Sequence, residues 1–291
     1  MTRLGVIGHP RYDRLAEVVR AVALAAPSLG LQLFLERELL PFADGAGPLD
    51  HPSDVDAMLT LGGDGTFLRA ARFVNDSGIP ILGVNLGRLG FLTCCAVDEL
   101  DSTLERFARG DYALEDRVGI LATVLDDRGS ERARRFALND VVLHKGGFAR
   151  VVSLRVSANG ETVANYAADG VVVSTPTGST AYNLSAGGPV VFPTLACLIV
   201  TPISAHTLAI RPLVLPADAE VRIQADVGPE QLLVTVDGQE GATFRAGDLL
   251  VVRRADHPVR IVRFPGSSFF ATMRRKLGWG GLQDRDELTE C

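Results

Sequence analysis

Two stretches of the chain gather residue types suited to work on phosphates and hydroxyls. In the first, Ala57 to Leu61 is an apolar run that reads as a buried strand. It breaks at Gly62, Gly63, Asp64, Gly65 and Thr66, and helix-like spacing resumes at Phe67, Leu68, Ala71 and Val74. Glycines remove the Cβ atoms that keep a phosphate from the backbone, and the helix that follows offers unpaired N–H groups and a partial positive charge. Asp64 is out of place in such a cradle, because carboxylate and phosphate repel. It makes sense there if it accepts a proton from a nucleophile or faces a bound Mg²⁺; otherwise it is a turn residue.

The second stretch is Gly170 to Ser185, GVVVSTPTGSTAYNLS, where a β-branched strand runs into a hydroxyl-rich turn. Five of the seven residues from Ser174 to Thr180 are Ser or Thr, and Pro176 and Gly178 set the backbone between them. Thr180 is placed to cap a helix through Ala181 to Ser185. The turn offers side-chain hydroxyls and backbone N–H groups to a polyol or a phosphate; the alternative is a well-capped strand-to-helix connection.

Both stretches need a scaffold, and the pattern around each supplies a different one. Leu4 to Gly8, Leu31 to Leu35, Ala57 to Leu61 and Ile79 to Asn85 read as strands with helices between, the first at Leu15 to Ala26. That alternation implies a doubly wound, largely parallel α/β sheet, and ligands of such sheets bind beyond the carboxyl ends of the strands, where Gly62 to Thr66 falls. After Leu114 the chain turns to short β-branched runs: Ile120 to Leu125, Val151 to Val156, Gly170 to Ser174, Val221 to Ala225, Leu232 to Val236 and Leu249 to Arg253. Turn signals at Asn159-Gly160, Asp237-Gly238 and Ala246-Gly247-Asp248 separate them, which predicts an antiparallel, sandwich-like β domain. The expected division is an α/β nucleotide-binding domain over residues 1–113 and a β-rich domain over 114–261, with 262–291 packing back on the first.

Composition narrows the function. With 291 residues, 47% of them hydrophobic, the chain can bury one or two sizeable cores. A formal charge of −6 argues against nucleic acid as a partner. No apolar run reaches about 18 residues and the start, MTRLGVIGHP, goes straight into strand-like sequence, so neither a membrane partner nor a secretory signal is expected. Cys94, Cys95, Cys197 and Cys291 lack metal-ligand spacing and read as free thiols of a cytoplasmic protein, and the five scattered histidines form no zinc pattern, so no side chain is assigned to a metal.

With both motifs in hand, the chain resembles the NAD kinase family. The likeness is carried by GGDGT at Gly62 to Thr66, NLGRLGFLT at Asn85 to Thr93, ALND at Ala137 to Asp140 and DGVVVSTPTGSTAYNLSAGGPVV at Asp169 to Val191. TPISAHTLAIRPLVLP and VDGQ follow in family order, and the likeness is weak in Glu36 to Asp54 and beyond Trp279. It implies Mg²⁺-dependent transfer of a phosphoryl group from ATP, or from another nucleoside triphosphate or polyphosphate, to the adenosine ribose 2′-hydroxyl of NAD, giving NADP. Asp64 would be the base, and Gly62, Gly63, Gly65 and Thr66 would hold phosphate.

Carried over by position, the NAD-binding residues are Asp64, Gly65, Arg69, Asn139, Asp140, Arg150, Asp169, Thr180, Ala181, Tyr182, Asn183, Leu184, Ser185 and Gln239. Asp140 stands where many relatives have Glu, and Tyr182 is suited to stack on a base. Family members form dimers or tetramers in which a neighbouring subunit helps complete the NAD site, so a homotetramer or homodimer is expected. Two alternatives accompany this reading: a lipid kinase, since those proteins share the GGDGT turn, and a non-catalytic dinucleotide sensor.

Overall fold

The computed structural model describes residues 1–87, 90–146, 151–206, 209–226, 232–245, 247–266 and 268–279. Among them the chain forms two compact units. The first comprises Met1–Phe73, Ile79–Glu115 and the chain from Arg260. Its strands are β1 (Thr2–Gly8), β2 (Leu31–Leu35), β3 (Gly47–Pro48), β4 (Ala57–Gly62), β5 (Ile81–Asn85), the short β6 (Cys95–Ala96) and β7 (Ala113–Arg117), and its helices are α1 (Leu15–Ala25), α2 (Asp64–Val74) and α3 (Leu100–Ala108). The sheet runs β3-β2-β1-β4-β5, and each of these neighbours pairs in parallel.

Local chemistry explains these elements. Every residue of β4 is buried, as befits a strand covered on both faces, so it reads as an apolar run interrupted only by Thr60. Helix α1 buries Leu15, Val18, Val19 and Val22, the spacing of one helical stripe. Because the strands are parallel, their carboxyl ends at Gly8, Leu35, Gly62 and Asn85 share one rim. The strand order turns back on itself between β1 and β4, and at such a switch point the connections diverge and leave a crevice.

The second unit comprises Val74–Gly78 and Asp116–Val259. It is built from β8 (Ile120–Leu125), β9 (Glu131–Ala137), β10 (Asp140–Lys145), β11 (Val152–Ala158), β12 (Glu161–Ala168), β13 (Gly170–Ser174), β14 (Cys197–Ile203), β15 (Leu213–Pro216), β16 (Val221–Asp226), β17 (Leu232–Val236), β18 (Gln239–Phe244) and β19 (Leu249–Arg254), with one short helix, α4 (Tyr182–Ser185). One sheet runs β15-β14-β13-β10-β17-β18 and the other β12-β11-β16-β19-β8-β9. Alternate residues of both sheets, such as Ile120, Ala122 and Val124 from β8 with Val171 and Val173 from β13, meet in one core, so the sheets pack face to face as a sandwich. The α/β plus antiparallel β class expected from the pattern is the one found.

The chain then returns. Strand β20 (Val259–Arg263) enters the parallel sheet beside β5, with Ile261 opposite Ile81, and α5 (Phe269–Leu277) follows, its first turn capped by Ser268, whose Oγ accepts from the Ala271 N–H at 3.3 Å. One expectation needs correction. Thr180 caps no helix: it ends a 3₁₀ turn over Thr177–Thr180, Ala181 occupies the cap position of α4 without a side-chain bond, and α4 is only four residues long. Among the described residues no helix is long and apolar enough to cross a membrane.

Candidate functional site

In the first unit, β4 ends at Gly62 and α2 begins at Asp64, leaving Gly63 as the single residue between them. The Gly63 carbonyl accepts from the Thr66 and Phe67 N–H groups at 3.0 and 3.2 Å, so the helix starts without a break. Thr66 is folded inward and buried against Gly62, where a Cβ would lie 2.2 Å from its Oγ1. Gly65 has open space on its Cβ side, with nothing within 4 Å. The turn therefore divides: Gly62 and Thr66 close the backbone, and Gly65 leaves a bare surface at the head of the helix.

Asp64 is held from several directions. The backbone N–H groups of Phe91 and Leu92 donate to Oδ2 and Oδ1 at 2.9 and 3.0 Å. Arg263 fixes that loop from behind, donating to the Phe91 and Leu92 carbonyls at 3.2 and 3.4 Å, and to Glu115 at 3.0 Å. Each carbonyl drawn toward Arg263 helps hold its segment with the N–H groups on Asp64. Gly90 permits the approach, since a Cβ there would sit 1.9 Å from Asp64 Oδ1. Lys276, from the last turn of α5, brings Nζ to 3.6 Å from Oδ2 while lying 5.1 Å from the centroid of the Phe91 ring.

Arg69, one turn along α2, donates to the Gly8 carbonyl and, at 2.9 Å, to Glu36. Burial raises the Glu36 pKa against the opposing pull of Arg69. Tyr12 stands near the glycine turn: a Cβ at Gly63 would lie 3.3 Å from its hydroxyl and one at Gly87 3.0 Å from its ring.

In the second unit, the hydroxyl-rich turn is mostly internal wiring. Thr175 Oγ1 donates to the Leu138 carbonyl at 2.6 Å and accepts from the Gly178 N–H at 3.1 Å. Ser179 Oγ exchanges bonds with both the carbonyl and the N–H of Val191. Thr177 Oγ1 accepts from the buried Arg117 at 3.1 Å. Asn183, 0% exposed, donates to the Ser179 and Pro189 carbonyls and accepts from Thr201 Oγ1. Its amide protons are both in use. What the turn presents outward is Tyr182, 44% exposed, with exposed Ser185 and half-buried Thr180, Ala181 and Leu184 around it.

Asn139 and Asp140 lie against that turn. Gly178 packs on the Asn139 backbone so closely that a Cβ would sit 2.1 Å from its carbonyl oxygen. Asp237, in a hairpin turn with φ 49° and with Gly238 at 73°, accepts from the N–H groups of Leu138, Asn139 and Asp140 at 3.2, 2.7 and 3.3 Å. Asp140 is 3% exposed; burial, then the Asp237 charge, push its pKa up to about 7, against a bond from the Tyr182 N–H. The Asn139 side-chain amide makes no hydrogen bond among the described residues, and Gln239 is exposed beside the Asp237-Gly238 turn. These residues form one cluster.

Asp169 does not join it. In the pairing of β10 with β13, Asp140 faces Ser174 and His144 faces Gly170, so Asp169 sits beyond the far end, roughly 17 Å of strand from Asp140. There Lys145 Nζ pairs with Asp169 Oδ1 at 2.7 Å. Arg150 lies outside the described residues. Sequence reasoning missed Lys276, Arg263 and the Phe91 and Leu92 amides, whose link to Asp64 is long-range. It read Asp237 only as a turn residue, although the VDGQ run marked the position.

Comparisons with known proteins follow the same division. Residues 36–112 match the family model of the ATP-NAD kinase N-terminal domain and residues 138–264 that of the ATP-NAD kinase C-terminal domain. The chain is 56% identical to an NAD kinase of Gemmatimonas aurantiaca over 98% of both chains, and 41% identical to one of Syntrophotalea carbinolica over 96% of this chain and 99% of the other. Among solved structures it is similar to yeast NADH kinase complexed with NADH, with a TM-score of 0.86 at 25% identity over 97% of this chain and 89% of that one. An Archaeoglobus fulgidus NAD kinase in complex with ATP shares the fold at a TM-score of 0.73 and 24% identity, over 96% of this chain and 100% of that one.

Proposed function

Because the chain belongs to the ATP-NAD kinase family, we propose that Asp64 is the base that takes the proton of the NAD adenosine 2′-hydroxyl as that oxygen attacks the γ-phosphorus of ATP and the bond to the β,γ-bridging oxygen breaks, releasing ADP. The activity is that of a phosphotransferase acting on NAD. The lipid-kinase and sensor alternatives do not stand beside identity of this extent.

The observation that carries the reading is the support built around Asp64. A ribose hydroxyl is a poor nucleophile, and a fixed carboxylate both aims it and accepts its proton as charge develops. A carboxylate has about four acceptor positions. The Phe91 and Leu92 amides occupy two, and Lys276 stands 3.6 Å away as an ion pair, which leaves room for the hydroxyl of an acceptor. The open surface at Gly65, at the head of α2, suits the phosphates, and Lys276 supplies a cation beside the point of transfer.

Mg²⁺ fits this arrangement as a companion of the triphosphate. Among the described residues no group of three or more His, Cys, Asp or Glu converges on one point, and Mg²⁺ is commonly held by substrate phosphates, water and one or two carboxylates. Asp64 is the carboxylate available for it. When bound, the cation would neutralise phosphate charge.

The dinucleotide is bound by Asn139, Asp140, Thr180, Ala181, Tyr182, Leu184, Ser185 and Gln239 in the second unit, with Tyr182 against a ring and the Asn139 amide on a hydroxyl or carboxamide. Asn183, whose amide is saturated internally, orients this segment. Arg150 keeps the basic role that the family resemblance implies. Asp169, at the opposite end of its strand, meets a distant part of the ligand or the NAD bound by a neighbouring copy. The protein works as a homotetramer or homodimer in the cytoplasm, in keeping with the unpaired thiols of Cys94, Cys95 and Cys197.

The test is formation of NADP from NAD, ATP and Mg²⁺ by purified protein. Accumulation of NADP is expected. No product with ATP, other nucleoside triphosphates or polyphosphate would refute the reading.

A further inference from the structure

We propose that the cavity at the carboxyl ends of β1 and β2 is the site for the nucleoside of the phosphoryl donor, with Glu36 taking its ribose hydroxyls. The proposal rests on the kinase reading above and names where the donor lies. The cavity measures about 340 Å³, a size that admits a nucleoside. Its walls are Leu15 and Ala16 from α1 with Leu39 and Phe42 beyond β2, and the polar groups come from Tyr12, Asp13, Glu36, Glu38 and Arg69, so the cation lies toward the glycine turn and the carboxylates suit hydroxyls and not phosphate.

Three observations select the occupant. Glu36 follows the last residue of β2, the place from which a carboxylate reaches a ribose diol in doubly wound nucleotide-binding folds. Its Oε2 accepts from the Gly8 N–H at 3.2 Å and from Arg69 at 2.9 Å, while Oε1 accepts nothing among the described residues. A diol fits that free oxygen, and an aromatic base fits the apolar walls. Arg69 Nε is likewise buried with no hydrogen-bond partner, so the guanidinium has a donor unused.

Direction comes from the strand order. Strand β1 lies between β2 and β4, so the cavity and the glycine turn are about two strand spacings apart, roughly 10 Å. A triphosphate chain starting from a ribose on Glu36 crosses the switch point over Gly8 and brings its terminal phosphate to Gly63, Gly65 and Asp64. Tyr12, which lines the cavity and reaches Gly63, marks the path between them. An acceptor held in this cavity would occupy the donor's approach and leave the apolar walls without a base from the side where phosphate must come.

The experiment measures ADP and NAD binding separately by calorimetry on the wild type, Ala16→Trp, which fills the cavity, and Glu36→Gln, which keeps its shape and removes the charge. ADP affinity should fall by about tenfold or more in both variants, with NAD affinity within about twofold of the wild type. Unchanged ADP affinity in the folded variants, wild-type protein that binds no ADP, or loss of NAD affinity with ADP binding kept would each overturn the proposal. Turnover is assayed in parallel. Wild-type protein that binds ADP through this cavity yet makes no NADP would leave the nucleoside site standing and remove the kinase reading instead.

Discussion

Below about pH 7, and down to about pH 4, Asp140 holds a proton that the unfolded chain would release. Its pKa of about 7 lies above the ordinary carboxylate value because burial and the Asp237 charge both oppose ionisation. Between roughly pH 4 and 7 the folded state therefore binds more protons than the unfolded one, and stability from this group is complete below that window and lost as pH rises through it. Asp140→Asn keeps an acceptor for the Tyr182 N–H and removes the titration. Wild-type Tm should fall relative to the variant as pH is raised from about 5 to 8, an effect on the order of a few kcal/mol; parallel curves would contradict the account. Lys276 makes a different prediction. Its pair with Asp64 is partly exposed, so Lys276→Met should change stability by less than about 1 kcal/mol. Turnover should nevertheless fall about tenfold or more, with partial rescue by Lys276→Arg. Unchanged kcat would remove Lys276 from the reaction.

At the scale of elements, two glycines with similar surroundings in sequence have opposite roles. Gly178→Ala drives a Cβ into the Asn139 carbonyl and should destabilise the second unit by about 1–3 kcal/mol. Gly65→Ala meets open space inside α2 and should be neutral or stabilising by up to about 1 kcal/mol. If phosphate lies on Gly65, the same substitution lowers kcat/KM for ATP in a protein whose Tm has not dropped; unchanged kinetics would take the phosphate away from this glycine. Strands with clean apolar patterns, such as Leu31–Leu35 and Ile120–Leu125, were legible to the residue. Strand β9 was not, because ERARRFA exposes most of its side chains at a sheet edge and shows no apolar alternation. Nor does a hydroxyl announce its direction: the sequence leaves Ser174, Thr175, Thr177 and Ser179 open between a ligand surface and internal wiring, and all four are buried. The clasp on Asp64 was hidden for another reason. It joins residues separated by 27 and 28 positions, and Lys276 comes from the far end of the chain.

For the whole molecule, Phe192, Leu195 and Val214 expose large apolar side chains in the second unit, Val214 on the edge strand β15. These side chains are candidates for the contact surface of the proposed homo-oligomer. Light scattering at micromolar concentration should return a dimer or tetramer, and a monomer mass would contradict the assembly. If Asp64 serves the chemistry and not merely the turn, turnover depends on its charge where NAD binding does not. Turnover and NAD binding measured side by side on wild type and Asp64→Asn test it most directly. NAD affinity should stay within about tenfold while kcat falls by at least roughly 10²-fold. Turnover kept in the variant would contradict it.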